Sequence, residues 1–102
     1  PYCNVKVRDL PLPGPTYFVG VDCWVDPVCL AACMDAFYAG LQWDYDEACT
    51  AYQSFLDAYN AGYMTEEEFL SVIRNLVATS LMTNMNSTYN RAANCIANCI
   101  HC

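Results

Sequence analysis

The chain has 102 residues, the length of one domain, and its 56% hydrophobic against 15% charged residues exclude a disordered chain. The net charge is −7, and from Asp9 to Ile73 there are eleven acidic residues and no basic one, a field that repels nucleic-acid backbones and anionic lipid surfaces. No apolar run approaches the roughly 20 residues that span a bilayer, so no membrane insertion is expected.

Residues 1–25 read as an extended arm. Val5-Lys6-Val7-Arg8 and Tyr17-Phe18-Val19-Gly20-Val21 alternate, which suggests a loose hairpin. Between them, Leu10-Pro11-Leu12-Pro13-Gly14-Pro15 cannot be helical, because proline removes donors and pushes its predecessor to extended geometry. A first helix is predicted over 26–39. Asp26 stands at its N-cap, Pro27 at its first turn and Gly40 at its end. Cys29, Cys33 and Phe37 share one face of it. Two cysteines pointing the same way should bond to partners on other elements rather than to each other.

A second helix is predicted over 44–61, with Asp44, Asp46 and Glu47 in its first turn. Tyr45, Cys49, Tyr52, Leu56, Tyr59 and Tyr63 form one stripe, read as a core seam with hydroxyls at its rim. Gly62 supplies a left-handed stop. A third helix, over 66–81, opens with the capping box Thr65/Glu68 and buries Phe69, Val72, Ile73, Leu76, Val77 and Leu81. Polar residues 83–88 read as a loop. A fourth helix, over 89–101, carries Cys95, Cys99 and Cys102 on one edge and Asn90, Asn94, Asn98 and His101 on another. The expected fold is therefore all-α. It is a single domain over residues 1–102, a small disulfide-stapled bundle of about four helices with an extended, proline-rich N-terminal arm.

Eight cysteines, at positions Cys3, Cys23, Cys29, Cys33, Cys49, Cys95, Cys99 and Cys102, are an even number at high density in a short chain. That reads as a disulfide framework and an oxidising, extracellular setting. Pairing is open among roughly a hundred connectivities. The cysteine lines place the first and last helices side by side. The start at Pro1 reads as a mature terminus left by removal of a leader. Asn86-Ser87-Thr88 matches an N-glycosylation acceptor in the expected loop.

Motifs that carry chemistry are weak. Asp57–Glu68 resembles an EF-hand loop, but Tyr59 and Ala61 stand where oxygen ligands are needed, so the segment reads as a helix–turn–helix. Cys99-Ile100-His101-Cys102 closes a helix instead of opening one, against a thioredoxin-type redox role. His101 is the single histidine, which leaves zinc short of ligands and makes a poor general base beside oxidised cysteines. No Gly-rich phosphate loop or metalloprotease signature is present. No catalytic residue, metal or cofactor is expected, and the protein reads as a non-enzyme.

An acidic, lysine-poor chain with an early Cys3, in-helix spacings Cys29/Cys33 and Cys95/Cys99 and a terminal Cys102 resembles the longer class of Euplotes ciliate mating pheromones. The resemblance implies a small disulfide-linked helical bundle, secreted as a diffusible signal. It also implies a cell-surface receptor, often a membrane-bound isoform, and possible self-association through exposed helix faces. It carries over no receptor-contact residue. A second reading is an extracellular carrier of a small apolar ligand, lined by Met34, Phe37, Tyr52, Phe55, Phe69 and Met82; a third is a secreted toxin or effector. A closed cavity of a few hundred Å³ would favour the carrier. A packed interior with exposed apolar surface would favour signalling.

Overall fold

Asp26 opens the first helix as its sequence demands. Its carboxylate accepts the backbone N–H groups of Val28 at 3.0 Å and Cys29 at 3.2 Å, and Pro27 occupies the first helical position. In the computed structural model, which describes residues 3–102, this helix, α1, runs Pro27–Asn60 without a break. The two predicted helices over 26–39 and 44–61 are thus one. Glycine ends a helix when it turns left-handed, and among the described residues only Gly62 does so, at φ 83°. Gly40 stays inside α1, and Asp44 is a buried mid-helix residue instead of a first-turn one. The reading of Pro1 lies outside the described residues.

The turn at the far end follows the sequence closely. Tyr63 N–H bonds Ala58 O at 3.0 Å and Gly62 N–H bonds Tyr59 O at 3.1 Å, the paired bonds of a Schellman stop. Thr65 then caps α2, Glu66–Asn75. Its hydroxyl accepts Glu68 N–H at 3.1 Å, and Glu68 Oε1 accepts Thr65 N–H at 3.0 Å. The Thr65 backbone N–H and, to a lesser degree, the Thr65 side chain hold the Glu68 carboxyl below its usual pKa. The Glu68 carboxylate therefore serves a helix start, the Asp57 carboxylate accepts a hydrogen bond from Gln53 Nε2 at 3.2 Å within α1, and the EF-hand likeness reduces to this turn.

From α2 the chain passes through a π-helical segment, Leu76–Leu81, into α3, Met82–Ala97. The expected loop over 83–88 is helical. Its polar residues Thr83, Asn86 and Ser87 face outward while Thr88 is buried against α1, so tertiary contact overrides weak propensity. The last helix stops at Ala97, short of the predicted His101, because the chain turns into strand pairing. Strand β2, Ile100–His101, lies antiparallel to β1, Trp24–Val25, with Trp24 opposite His101 and Val25 opposite Ile100.

The bundle of four helices is thus replaced by an antiparallel hairpin of two long helical rods, α1 and residues 66–97. It measures 61 × 22 × 18 Å, with a radius of gyration of 17.8 Å, where a compact chain of this length has about 13 Å. The N-terminal segment packs along α1. Val5–Arg8 forms no hairpin with residues 17–21; instead Val7–Asp9 makes a single 3-10 turn. The buried Val7 N–H donates to Gln42 Oε1 at 2.9 Å, and Gln42 Nε2 donates to Val5 O at 3.1 Å. Residues 11–20 have no regular secondary structure, and Tyr89 OH donates to Pro13 O at 2.6 Å.

All eight cysteines are paired: Cys3–Cys49, Cys23–Cys102, Cys29–Cys99 and Cys33–Cys95. The i, i+4 pair on α1 meets the i, i+4 pair near the chain end rung by rung, as two antiparallel helices require. Ile96, Cys33 and Cys99 form one buried cluster there, and Phe37, Leu41, Ala92 and Val7 form a second beside it. Both clusters lie in the stapled half.

Candidate recognition surface

The stapled half is held by polar as well as covalent links. Asp44 is only 5% exposed and accepts the hydroxyl of buried Thr88 at 2.5 Å. Arg91 Nη2 donates to that same hydroxyl at 3.1 Å. This chain satisfies a carboxylate that would otherwise be stranded in the interface. Gly40 lies beside it, where an added Cβ would stand 2.8 Å from Thr88 Cγ2. The glycine therefore sets how closely the two helices approach.

The cysteines are scaffold throughout. Cys29, Cys33 and Cys99 bring their sulfurs within 4.8 Å of one another, and Cys33 Sγ lies 3.5 Å from Cys99 Sγ. These sulfurs belong to two adjacent disulfides and carry neither proton nor thiolate, so the contact is van der Waals packing. The Cys99-x-x-Cys102 motif splits its members between Cys29 and Cys23. His101 sits exposed on β2 with its ring centroid 4.9 Å from that of Trp24. Asn86 is exposed on α3, whereas Thr88 of the same acceptor triplet is buried and bonded to Asp44.

The other half of the rod differs in kind. Between Cys49 and Thr88, residues 50–87, no residue is buried. α1 and the returning helix touch along one seam, where Phe69 stacks on Tyr59 with centroids 4.9 Å apart and lies 6.2 Å from Tyr52. The predicted tyrosine stripe is therefore a seam as far as Tyr59, while Tyr63 lies past the helix end, 85% exposed. Where this half joins the stapled one, beside Cys49 and its bridge to Cys3, lies an open, almost wholly apolar groove of about 290 Å³. Tyr45, Ala48 and Tyr52 of α1 line one wall, and Ile73, Val77 and Leu81 line the other. The second wall includes the π-helical segment, a geometry rare in helices and frequent at functional sites. Leu70, Val77 and Met82 remain exposed along this arm, and Val77, predicted to be buried, is 46% exposed. Periodicity located this helix face but could not show that one partner helix is too few to cover it.

The six residues proposed to line a carrier cavity are not brought together. Met34 and Phe37 pack in the stapled half, Tyr52 and Phe69 meet in the arm, Phe55 is half-buried on α1 and Met82 is 48% exposed. The main hollows, of about 240 to 480 Å³, all open to solvent. Among the described residues no helix is long and apolar enough to cross a membrane. A second exposed apolar set, Phe18, Val21, Trp24 and Val28, lies at the strand end of the rod.

No protein-family model, no curated protein and no solved structure matches the chain.

Proposed function

We propose that the protein is an extracellular recognition protein, a diffusible signal of the pheromone type that binds a cell-surface receptor and performs no catalysis. One observation carries this reading: a rigid, four-disulfide base holds out a helical arm, residues 50–87, in which nothing is buried. Isolated two-helix arms lack a core of their own, and contiguous exposed apolar surface on a soluble protein marks an interaction site. The disulfides agree with an oxidising, extracellular setting. The open groove and the scattered Met/Phe/Tyr residues weigh against the small-ligand carrier, which needs a pocket that buries most of its ligand.

The test is binding of labelled, oxidised protein to intact cells of the source organism. The reading expects saturable binding that excess unlabelled protein displaces and that is followed by a mating or growth response. Absence of any specific cell binding would end it.

A further inference from the structure

Two bridges meet in the core of the stapled half, and each has one sealed and one accessible sulfur. Cys33 and Cys99 are 2% and 0% exposed and pack with Ile96, while their partners Cys95 and Cys29 are partly exposed. The two sealed sulfurs face each other from one bridge to the next at 3.5 Å. Cys29 Sγ completes a trio whose members all lie within 4.8 Å of one another. With both bridges closed, this is packing. With either one open, it sets a thiolate against a disulfide. A pair held at about 3–3.5 Å is in near-attack range, and such proximity makes an intramolecular step far faster than its bimolecular counterpart.

A dissolved thiol enters only at the accessible sulfurs, because exchange begins with a thiolate attacking a sulfur it can touch. The co-reactant is a low-molecular-weight thiol of the glutathione class. Its thiolate attacks Cys29 Sγ, the Cys29–Cys99 bond breaks, and the electron pair of that bond stays on Cys99. Cys99 Sγ then attacks Cys33 Sγ. A Cys33–Cys99 bond forms, the Cys33–Cys95 bond breaks, and Cys95 leaves as a thiolate that takes a proton from water. One thiol is consumed and one protein thiol appears; two disulfides stand before and after, one of them now between Cys29 and the small thiol. Burial disfavours a charged sulfur, so the shift from sealed Cys99 to partly exposed Cys95 runs downhill. Entry at Cys95 follows the mirror-image course, in which Cys33 attacks Cys99 and Cys29 leaves. The two sealed sulfurs must close by about 1.5 Å to reach bonding distance. Cys99 lies in the turn between α3 and β2, outside any helix, and is the member that moves.

We propose that the Cys33–Cys99 contact is a thiol–disulfide relay: when a small thiol opens either core bridge, the pair rewires to Cys33–Cys99 and a free thiol emerges at Cys95 or Cys29. The new bridge still joins α1 to the turn after α3, so the base stays stapled. A partly exposed cysteine meanwhile becomes open to oxidation or to a mixed disulfide with another thiol. The relay belongs to the scaffold and stands independently of the receptor reading.

Two variants test the relay without added thiol. Cys29→Ser leaves Cys99 unpaired, and Cys95→Ser leaves Cys33 unpaired. After free thiols are trapped in acid and peptides are mapped by mass, both variants should carry Cys33–Cys99. The free thiol should have moved to Cys95 in the first and to Cys29 in the second. Retention of Cys33–Cys95 in Cys29→Ser, with Cys99 as the trapped thiol, would overturn the proposal. Cys33→Ser removes the receiving sulfur, so it should keep Cys29–Cys99 and trap at Cys95. Scrambled pairing there too would reduce the rewiring to general mispairing and overturn the relay. The wild-type protein gives the same readout should a variant fail to fold. Brief exposure to reduced glutathione at neutral pH should yield Cys33–Cys99, with glutathione on one of Cys29 and Cys95, a free thiol on the other, and unchanged helicity by circular dichroism. Glutathione on either cysteine with the neighbouring bridge still closed would overturn the relay, and so would core bridges that never open in glutathione.

Discussion

Gly40 and Thr88 stand so close that a Cβ on the glycine would lie 2.8 Å from the threonine Cγ2. Thr88 cannot swing aside without giving up its bond to buried Asp44. Gly40→Ala gains up to about 1 kcal/mol of helix propensity but overpacks a close interface at about 1–3 kcal/mol. We expect a net loss of about 1 kcal/mol in urea unfolding. In a Thr88→Ser background, which removes Cγ2 and keeps the hydroxyl, the same Gly40→Ala change should become stabilising.

Removing that hydroxyl is a different experiment. Thr88→Val keeps the shape and leaves the Asp44 carboxylate without its donor, in a site that is 5% exposed. A hydrogen bond to a charged group is worth about 1.5–3 kcal/mol, and a loss of that size is expected in urea unfolding.

The disulfides should fall in order of exposure. Cys102 is exposed and Cys23 partly so, whereas Cys33 and Cys99 are sealed beneath Ile96. Graded treatment with a phosphine, followed by alkylation and peptide mass mapping, should open Cys23–Cys102 first and the two bridges with a buried sulfur in that cluster, Cys29–Cys99 and Cys33–Cys95, last. Early loss of Cys33–Cys95 would contradict the packing. Intact mass of the untreated chain should show all eight cysteines oxidised.

The arm should be the labile part of the molecule. All four staples lie at or below Cys49 on the rod, and no residue of 50–87 is buried. Amide hydrogen exchange should therefore be faster by orders of magnitude in residues 50–87 than around Cys33 and Ile96, since local opening scales with buried contact. Uniform protection along the rod would show that something already covers the groove.

Two groups make stability depend on pH, with opposite signs. Glu68 has a lowered pKa in the fold, chiefly through the backbone bond to Thr65. Its contribution is present above the ordinary carboxylate pKa and is lost as pH falls through the lowered value. Tyr89 is raised, first by burial and then by the neighbouring Tyr38. Its contribution is present below the ordinary tyrosine pKa of about 10 and is lost as pH rises through the raised value. Glu68→Gln should flatten the acid limb of the stability curve. Tyr89→Phe should flatten the alkaline limb and remove the hydroxyl bond to Pro13.

Features written in a few neighbouring residues are legible in the chain alone. The cap at Asp26, the stop at Gly62 and the box at Thr65/Glu68 each close their bonds within about five residues. The facing cysteine lines and the disulfide framework are legible too, because helical period and cysteine density are local quantities. Gly40 and the polar run 83–88 mislead for one shared reason. Both look like breaks by propensity, and each is held in helix by the other across the interface, through Gly40 against Thr88 and Asp44 bonded to Thr88.

The candidate site shows the same division. Tyr45, Tyr52, Ile73 and Val77 are visible as apolar helix stripes, and a stripe looks the same whether it is covered by a neighbour or left open. By itself the sequence determined an oxidised, helical, acidic chain with defined helix starts and stops. Only the tertiary structure decided that two rods form instead of four helices, which cysteines pair, and that residues 50–87 stay uncovered, because those outcomes depend on contacts between residues 44 to 79 positions apart.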